Sequence, residues 1–393
     1  MKLSNWLVAF SVIATMFGAG RQAVAADPGI SPTEVTLGMW TPLTGPTSLL
    51  GTSERDAIEI AIDEINAAGG VNGRKIKLIA YDDAGSPQEA LTSVRRLIDQ
   101  DGVFALIAGS ISGATLPVVP LVNRSKIPFI SSISSNRKLL DPFSHYIFRV
   151  YANELAHADG IVNYALSKGI KKPAIIYNSN DYGVGGEEEV SALLDKAKIP
   201  LVAKERYNQT DQDFSAQLLR IKESGADSMF LWAFAAEAGI IVRQARELGL
   251  TIPIYGGAGI STPLFTKAVG NLGKGIVAAY VVPDLPESST KPAVAKYRET
   301  LKKKYGGSLP PGRPNEYDLG GYAALKIFAA ALAKAGANPT RESLIAALET
   351  LKDFDTGVTF PVTYTSKKHE GTDQTSLLRV GDSGEWELLG ENK

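Results

Sequence analysis

The segment 34–83, EVTLGMWTPLTGPTSLLGTSERDAIEIAIDEINAAGGVNGRKIKLIAYDD, changes its hydrophobic period twice. Val35, Leu37 and Met39 alternate with Thr36, Gly38 and Trp40, the period of a strand. From Glu54 to Ala68 the residues Ile58, Ala61, Ile62 and Ile65 share one face at helical spacing. Gly69-Gly70 stops that helix, Val71-Asn72-Gly73-Arg74 is turn chemistry, and Lys75–Tyr81 reads as the next strand. Strand, helix and strand in that order are the unit of a parallel sheet.

Outward from this unit the alternation continues. Pro87–Gln100 predicts a helix with proline in its first turn, and Val103–Ala108 a strand covered on both faces. Ala114–Asn123 reads as helical and Pro128–Ser131 as extended. The pattern then restarts. Extended segments are predicted at 147–150, 173–177, 202–207, 228–233, 254–256 and 275–282, and helices at 154–167, 185–197, 214–224 and 237–248. Helices follow at 293–305, 317–335 and 341–351, and Val358–Val380 reads as β-rich. The expected fold class is α/β, two doubly wound parallel-sheet lobes. A chain of 393 residues is long enough for two domains, and no repeat of solenoid length appears.

The first 25 residues differ. Lys2 precedes an apolar run, Leu7–Phe17, and Ala23-Val24-Ala25 fits a small-residue cleavage site. The run is shorter than the ~20 residues a membrane-spanning helix needs. A signal peptide cleaved after Ala25, and export of the remainder, are expected. Without cysteine there is no disulfide, lipid-bearing thiol or thiolate nucleophile.

The composition narrows the function. A net charge of −1 argues against a strongly basic nucleic-acid binder. Lys302-Lys303-Lys304 reads as a solvated helix face. Histidines 145, 157 and 369 form no HExxH pair, and no metal site is expected. Neither GxxxxGK[ST] nor GxGxxG occurs, so no cofactor is expected. Gly109-Ser110-Ile111-Ser112-Gly113 mimics a hydrolase elbow, but Ile111 stands where the nucleophile belongs, and no enzyme is expected.

Five polar or glycine-containing loops follow predicted strands: Thr41–Pro46, Gly109–Thr115, Ser131–Asn136, Asn180–Gly183 and Gly256–Gly259. In doubly wound sheets a ligand binds beyond the carboxyl ends of the strands. Serine hydroxyls and free N–H groups there suit a carboxylate. Each loop alone is ordinary turn or capping chemistry; five together in a two-lobed exported chain point to a binding cleft.

The stretches 42–90, 109–115, 130–136, NDYGVGG at 180–186 and 219–250, in this order, resemble the branched-chain amino acid type of periplasmic substrate-binding protein that feeds an ABC transporter. The resemblance implies a type I periplasmic binding fold with three crossovers, expected near 148–151, 280–283 and 354–358. Lobe one is then 26–148 with 283–355, and lobe two is 149–282 with 356–393. It implies ligand closure without chemistry and delivery to a membrane permease; the leader and the lack of a lipid-anchoring cysteine point to the periplasm, and a monomer is expected of a protein that must close and dock. Ser112 matches the serine that holds the ligand carboxylate, with Ser110 also open. Ser134-Ser135-Asn136 matches the next loop, Tyr182 matches the aromatic that closes over the ligand, and Phe234 or Trp232 falls near a second aromatic position. Leu50 stands where some members place a tyrosine.

One departure is large. Members that bind amino acids commonly carry a glutamate two residues after Gly256, paired with the ligand ammonium; this chain has Ala258. A buried ammonium without a carboxylate loses a term of several kcal/mol. Asp181 and Glu237 are the candidate replacements, although Glu237 reads as the start of a solvated helix. The expected ligand is therefore a carboxylate without an ammonium, such as an aromatic acid. The alternatives are a branched-chain or other amino acid, and a sensor passing its signal to a membrane receptor. A two-lobed repressor would carry a DNA-binding headpiece where this chain has its leader.

Overall fold

The computed structural model describes residues 27–392, so the leader expected at 1–25 lies outside the described residues. The first half runs β1 (Glu34–Thr41), α1 (Ser48–Ala67), β2 (Lys75–Asp82), α2 (Pro87–Asp99), β3 (Ala105–Ala108), α3 (Ser112–Thr115), α4 (Val119–Ser125), β4 (Phe129–Ser131) and β5 (Ile147–Arg149). Its five strands are all parallel, in the order β2-β1-β3-β4-β5. Leu37 pairs with both Leu78 and Ala105, and β1 is buried from Leu37 to Thr41.

The second half runs α5 (Glu154–Ser167), β6 (Pro173–Asn178), α6 (Asp181–Lys196), β7 (Ala203–Tyr207), α7 (Ser215–Glu223), β8 (Ser228–Trp232), α8 (Ala235–Glu247), β9 (Ile254–Gly256), α9 (Pro263–Val269) and β10 (Val277–Tyr280). Then come α10 (Pro292–Lys304) and α11 (Glu316–Lys334), which pack with α1, α12 (Arg341–Leu348), which packs with α11, and finally β11 (Thr375–Val380) and β12 (Trp386–Asn392). The second sheet has the order β12-β11-β10-β9-β8-β6-β7, parallel except for the antiparallel β10-β11-β12 edge. The mixed α/β architecture with two parallel-dominated sheets is the one expected.

Both sheets reverse their winding direction once. β1 lies between β2 and β3, and β6 lies between β7 and β8. The loops after β1 and β3, and those after β6 and β8, therefore diverge and leave a crevice. The chain leaves the first sheet after Arg149 and the second after Tyr280. Phe354–Val358, expected to be the third crossover, folds back through a Phe354–Val362 bridge. The chain then runs beside Arg149 at Glu370 before entering β11. We therefore propose that lobe one extends to about Glu370 rather than to 355.

Some boundaries moved for identifiable reasons. Helix α1 starts at Ser48 rather than Glu54, and Glu54 and Asp56 are buried on it. Helix α6 starts at Asp181 rather than 185, because the Asn180 side chain caps it by accepting from Gly183 N at 3.0 Å. Before Thr375, the 358–380 stretch expected to be β-rich is bends, a turn, isolated bridges and irregular chain, and only Thr375–Val380 forms a strand. Among the described residues no helix is long and apolar enough to cross a membrane.

Candidate functional site

Between the two sheets lies a cavity with about 400 Å³ of empty space, lined from both halves. Ser110, Ser112 and Ser135 come from the loops after β3 and β4. Tyr182, Phe234, Ala258 and Gly259 come from the loops after β6, β8 and β9. His157, Glu316 and Tyr317 sit on helices that face the same space.

One end is a set of hydroxyls. Ala108 and Gly109 have φ of +94° and +82°, a turn that sends the chain off the strand end. A side chain at Gly109 would meet the Phe129 ring, with its Cβ 2.8 Å away. Ser112 opens α3; its Oγ lies 3.2 Å from Ser134 Oγ and accepts from Asn136 N at 3.4 Å. Ser110 is more committed. It donates to Glu54 and lies 2.6 Å from Thr41 Oγ1. Glu54 also accepts from Ser132, and from Thr41 at 2.8 Å, so one carboxyl ties together the ends of β1, β3 and β4. Burial pushes the Glu54 carboxyl up to about 7, against the pull of those three hydroxyls. Arg149 lies beneath the neighbouring loop, 1% exposed. Its Nη1 donates to the carbonyls of Ser134, Ser135 and Asn136 at 3.3, 3.0 and 2.8 Å, and Nη2 pairs with Glu370 at 3.1 Å.

The opposite wall is aromatic. Tyr182 stacks on Phe234 with ring centroids 5.0 Å apart. The Tyr182 hydroxyl accepts from Gly259 N at 2.8 Å. The run Gly256–Gly259 is glycine-rich because the rings crowd it: a Cβ on Gly257 would sit 2.7 Å from Trp232 and 2.8 Å from the Tyr182 hydroxyl.

The far corner holds an acid. Glu316, the first residue of α11, is 2% exposed. Its Oε1 lies 2.8 Å from Ser261 Oγ, which also lies 2.7 Å from the Ala258 carbonyl. Among the described residues its buried Oε2 has no hydrogen-bond partner. Burial pushes this carboxyl up to about 7, opposed by its own backbone N–H and by Ser261. His157 is held neutral, pushed down to about 3 by burial and by the Arg149 cation.

Of the residues singled out from sequence, Ser110, Ser112, Ser135, Tyr182, Phe234 and Ala258 line the cavity. Ser134 stands behind Ser112, and Trp232 stands behind Tyr182 with its Nε1 donating to Glu154 at 2.6 Å. Asp181 does not line the cavity; its carbonyl accepts from Asn136 Nδ2 at 2.6 Å across the cleft. Glu237 does not begin a solvated face. It is buried, accepting from Asn178 Nδ2 at 3.0 Å and Phe234 N at 3.2 Å. Leu50 is buried away from the lining. Read from sequence alone, Glu54 and Glu316 have no place in the cleft, and His157 figures only as a metal ligand or triad member. Asn315-Glu316-Tyr317-Asp318 reads as helix-start chemistry, which masks the acid that enters the cavity.

A family model described as periplasmic binding protein matches residues 34–385. An amino acid binding protein of Pseudomonas aeruginosa is 31% identical over 325 residues, covering 80% of this chain and 83% of the relative. A Leu/Ile/Val-binding protein homolog of Brucella melitensis is 25% identical, covering 83% and 86%. Among solved structures, a solute binding protein of an ABC transporter from Rhodopseudomonas palustris BisB5, in complex with 3,4-dihydroxy benzoic acid, superposes with a TM-score of 0.80 at 22% identity. It covers 92% of this chain and 98% of that one.

Proposed function

Because the chain belongs to the periplasmic binding protein family, a family of solute-binding transport proteins, we propose that it captures a small carboxylate in the periplasm for an ABC importer. The carrying observation is the cavity itself. Serine hydroxyls stand at one end, a stacked Tyr182–Phe234 pair forms the wall, and both halves of the molecule contribute. The hydroxyls and the positive Arg149 beneath their loop suit an anion; the aromatic wall suits an apolar or planar body.

The halves close as follows. Lobe one offers Ser112 and Ser135 in the open form, and ligand docks there. Lobe two then swings over it, bringing Tyr182 and Phe234. The closed arrangement is held by Asn136 Nδ2 donating to the Asp181 carbonyl and by ion pairs Arg137–Glu189 at 3.2 Å and Lys138–Glu188 at 3.4 Å. Exposed pairs of this kind contribute about 1 kcal/mol or less each, so the ligand decides the equilibrium. The permease, or a receptor in a sensing role, would read the closed form.

Similarity does not single out the ligand. The Pseudomonas relative is named for amino acids and the Rhodopseudomonas structure holds a dihydroxybenzoic acid. The expectation of a ligand without an ammonium rested on Ala258 and on the lack of another acid in the cleft. Glu316, an acid lining the cavity, removes the second support. Calorimetry on the mature chain tests the carboxylate site: Ser112→Ala should weaken binding about tenfold or more, and Tyr182→Phe less, because the Tyr182 hydroxyl bonds Gly259. Unchanged affinity in Ser112→Ala would move the anchor elsewhere.

A further inference from the structure

Resting on the carboxylate-binding reading, we infer that Glu316 takes the cationic end of the ligand, so that the substrate class is a zwitterionic α-amino acid and not a plain carboxylic acid. Glu316 lines the cavity; its Oε1 is engaged by Ser261, and its Oε2 is buried with no partner among the described residues. Among the described residues no lysine, arginine or histidine pairs with it. Arg313, three residues earlier, is consumed by Asp56 and Asp318 at 2.6 and 2.5 Å. Capping does not explain the residue either. Asn315 already accepts from Tyr317 N and Asp318 N, and Asp318 accepts from Asn315 N. A buried carboxylate without a compensating charge is costly, and a ligand ammonium is the missing partner.

Position strengthens the assignment. Ser261 touches both the Ala258 carbonyl and Glu316, so the Glu316 carboxyl occupies the corner beside Ala258. The acid that would commonly stand on that lobe-two loop comes here from α11, which packs with α1 of lobe one. Lobe one thus presents both poles of a zwitterion. Arg149 and the serines mark the carboxylate pole, and Glu316 marks the ammonium pole. Lobe two adds the aromatic wall and the Ser261 hydroxyl. That hydroxyl has one proton and two acceptors in reach, so Glu316 can itself carry a proton in the empty cavity. Arrival of an ammonium expels it.

Calorimetry with wild type, Glu316→Gln and Ser112→Ala decides the matter. The probes are leucine and phenylalanine, the same acids without their ammonium (4-methylpentanoate and 3-phenylpropanoate), 4-hydroxybenzoate, and leucinamide. Wild type should prefer an amino acid over its deaminated counterpart by about a hundredfold, and Glu316→Gln should erase that ratio. Ser112→Ala should weaken both members of a pair alike and keep the ratio. Affinity of wild type for the amino acid should rise from pH 5.5 to 8 and release a proton; in Glu316→Gln this dependence should disappear. The titratable groups facing Glu316 are Glu287 and Asp318, whose charges raise it, the Tyr151, Tyr280, Tyr317 and Tyr182 phenols, which stay protonated throughout, neutral His157, and Glu54. Glu54 titrates in the same range, and the Glu316→Gln comparison removes its contribution. Preference of wild type for the deaminated acids or for 4-hydroxybenzoate overturns the inference, as does an unchanged ratio in Glu316→Gln. Leucinamide binding as tightly as leucine overturns the carboxylate reading while leaving Glu316 in place. Binding by no probe overturns both.

Discussion

Glu54 shows how one buried acid organises the binding loops. Three hydroxyls from three strand ends converge on it, and among the described residues no cation pairs with it. Its folded value of about 7 exceeds the ordinary 4.5, so the folded chain holds its proton more tightly than the unfolded chain. Its contribution is therefore fully present below 4.5 and is lost as pH rises through about 7. The loss is at most about 3 kcal/mol. Denaturant unfolding of the empty protein at pH 5 and pH 8 should show Glu54→Gln gaining stability relative to wild type at the higher pH; parallel curves would contradict this. Residues such as Glu54, His157 and Glu316 were illegible in the sequence because their role arises from contacts made across elements. Ser112, Ser135, Tyr182 and Phe234 were legible because each sits just beyond a strand end, where topology alone directs it to the crevice.

Helix α11 is the element that delivers Glu316, and its start is built before its function. Arg313 bridges Asp56 on α1 and Asp318 in the first turn of α11, and Tyr297 of α10 donates to Asp318 at 2.5 Å. Tyr305 donates to Asp56 from the end of α10. Removing the cation strands the buried Asp318 carboxylate, while Asp56 keeps Arg55 at 2.8 Å; stranding one buried charge costs about 3–5 kcal/mol. Arg313→Met should lower the melting temperature by several degrees and weaken ligand binding; an unchanged melting temperature would mean that the cluster is not holding the helix. The periodic elements were legible, because apolar spacing follows burial on a sheet. Less so were the starts of α1 and α6, where a cap and a polar buried face replace the apolar signal. The region 358–380 has strand-like composition, but before Thr375 its backbone pairs in single bridges near Arg149 and not in a sheet.

At the scale of the whole molecule, each of two sheets reverses its winding once, and the chain leaves the first after Arg149 and the second after Tyr280, the passages at which the proposed closure would hinge. The account requires that a carboxylate held on lobe one draws lobe two down. Small-angle scattering of the mature chain, with and without the tightest ligand found by calorimetry, tests this most directly. The account predicts a smaller radius of gyration on ligand addition, and no contraction in Ser112→Ala at the same ligand concentration. A scattering curve that the ligand leaves unchanged in wild type, or a contraction that survives in Ser112→Ala, would contradict it.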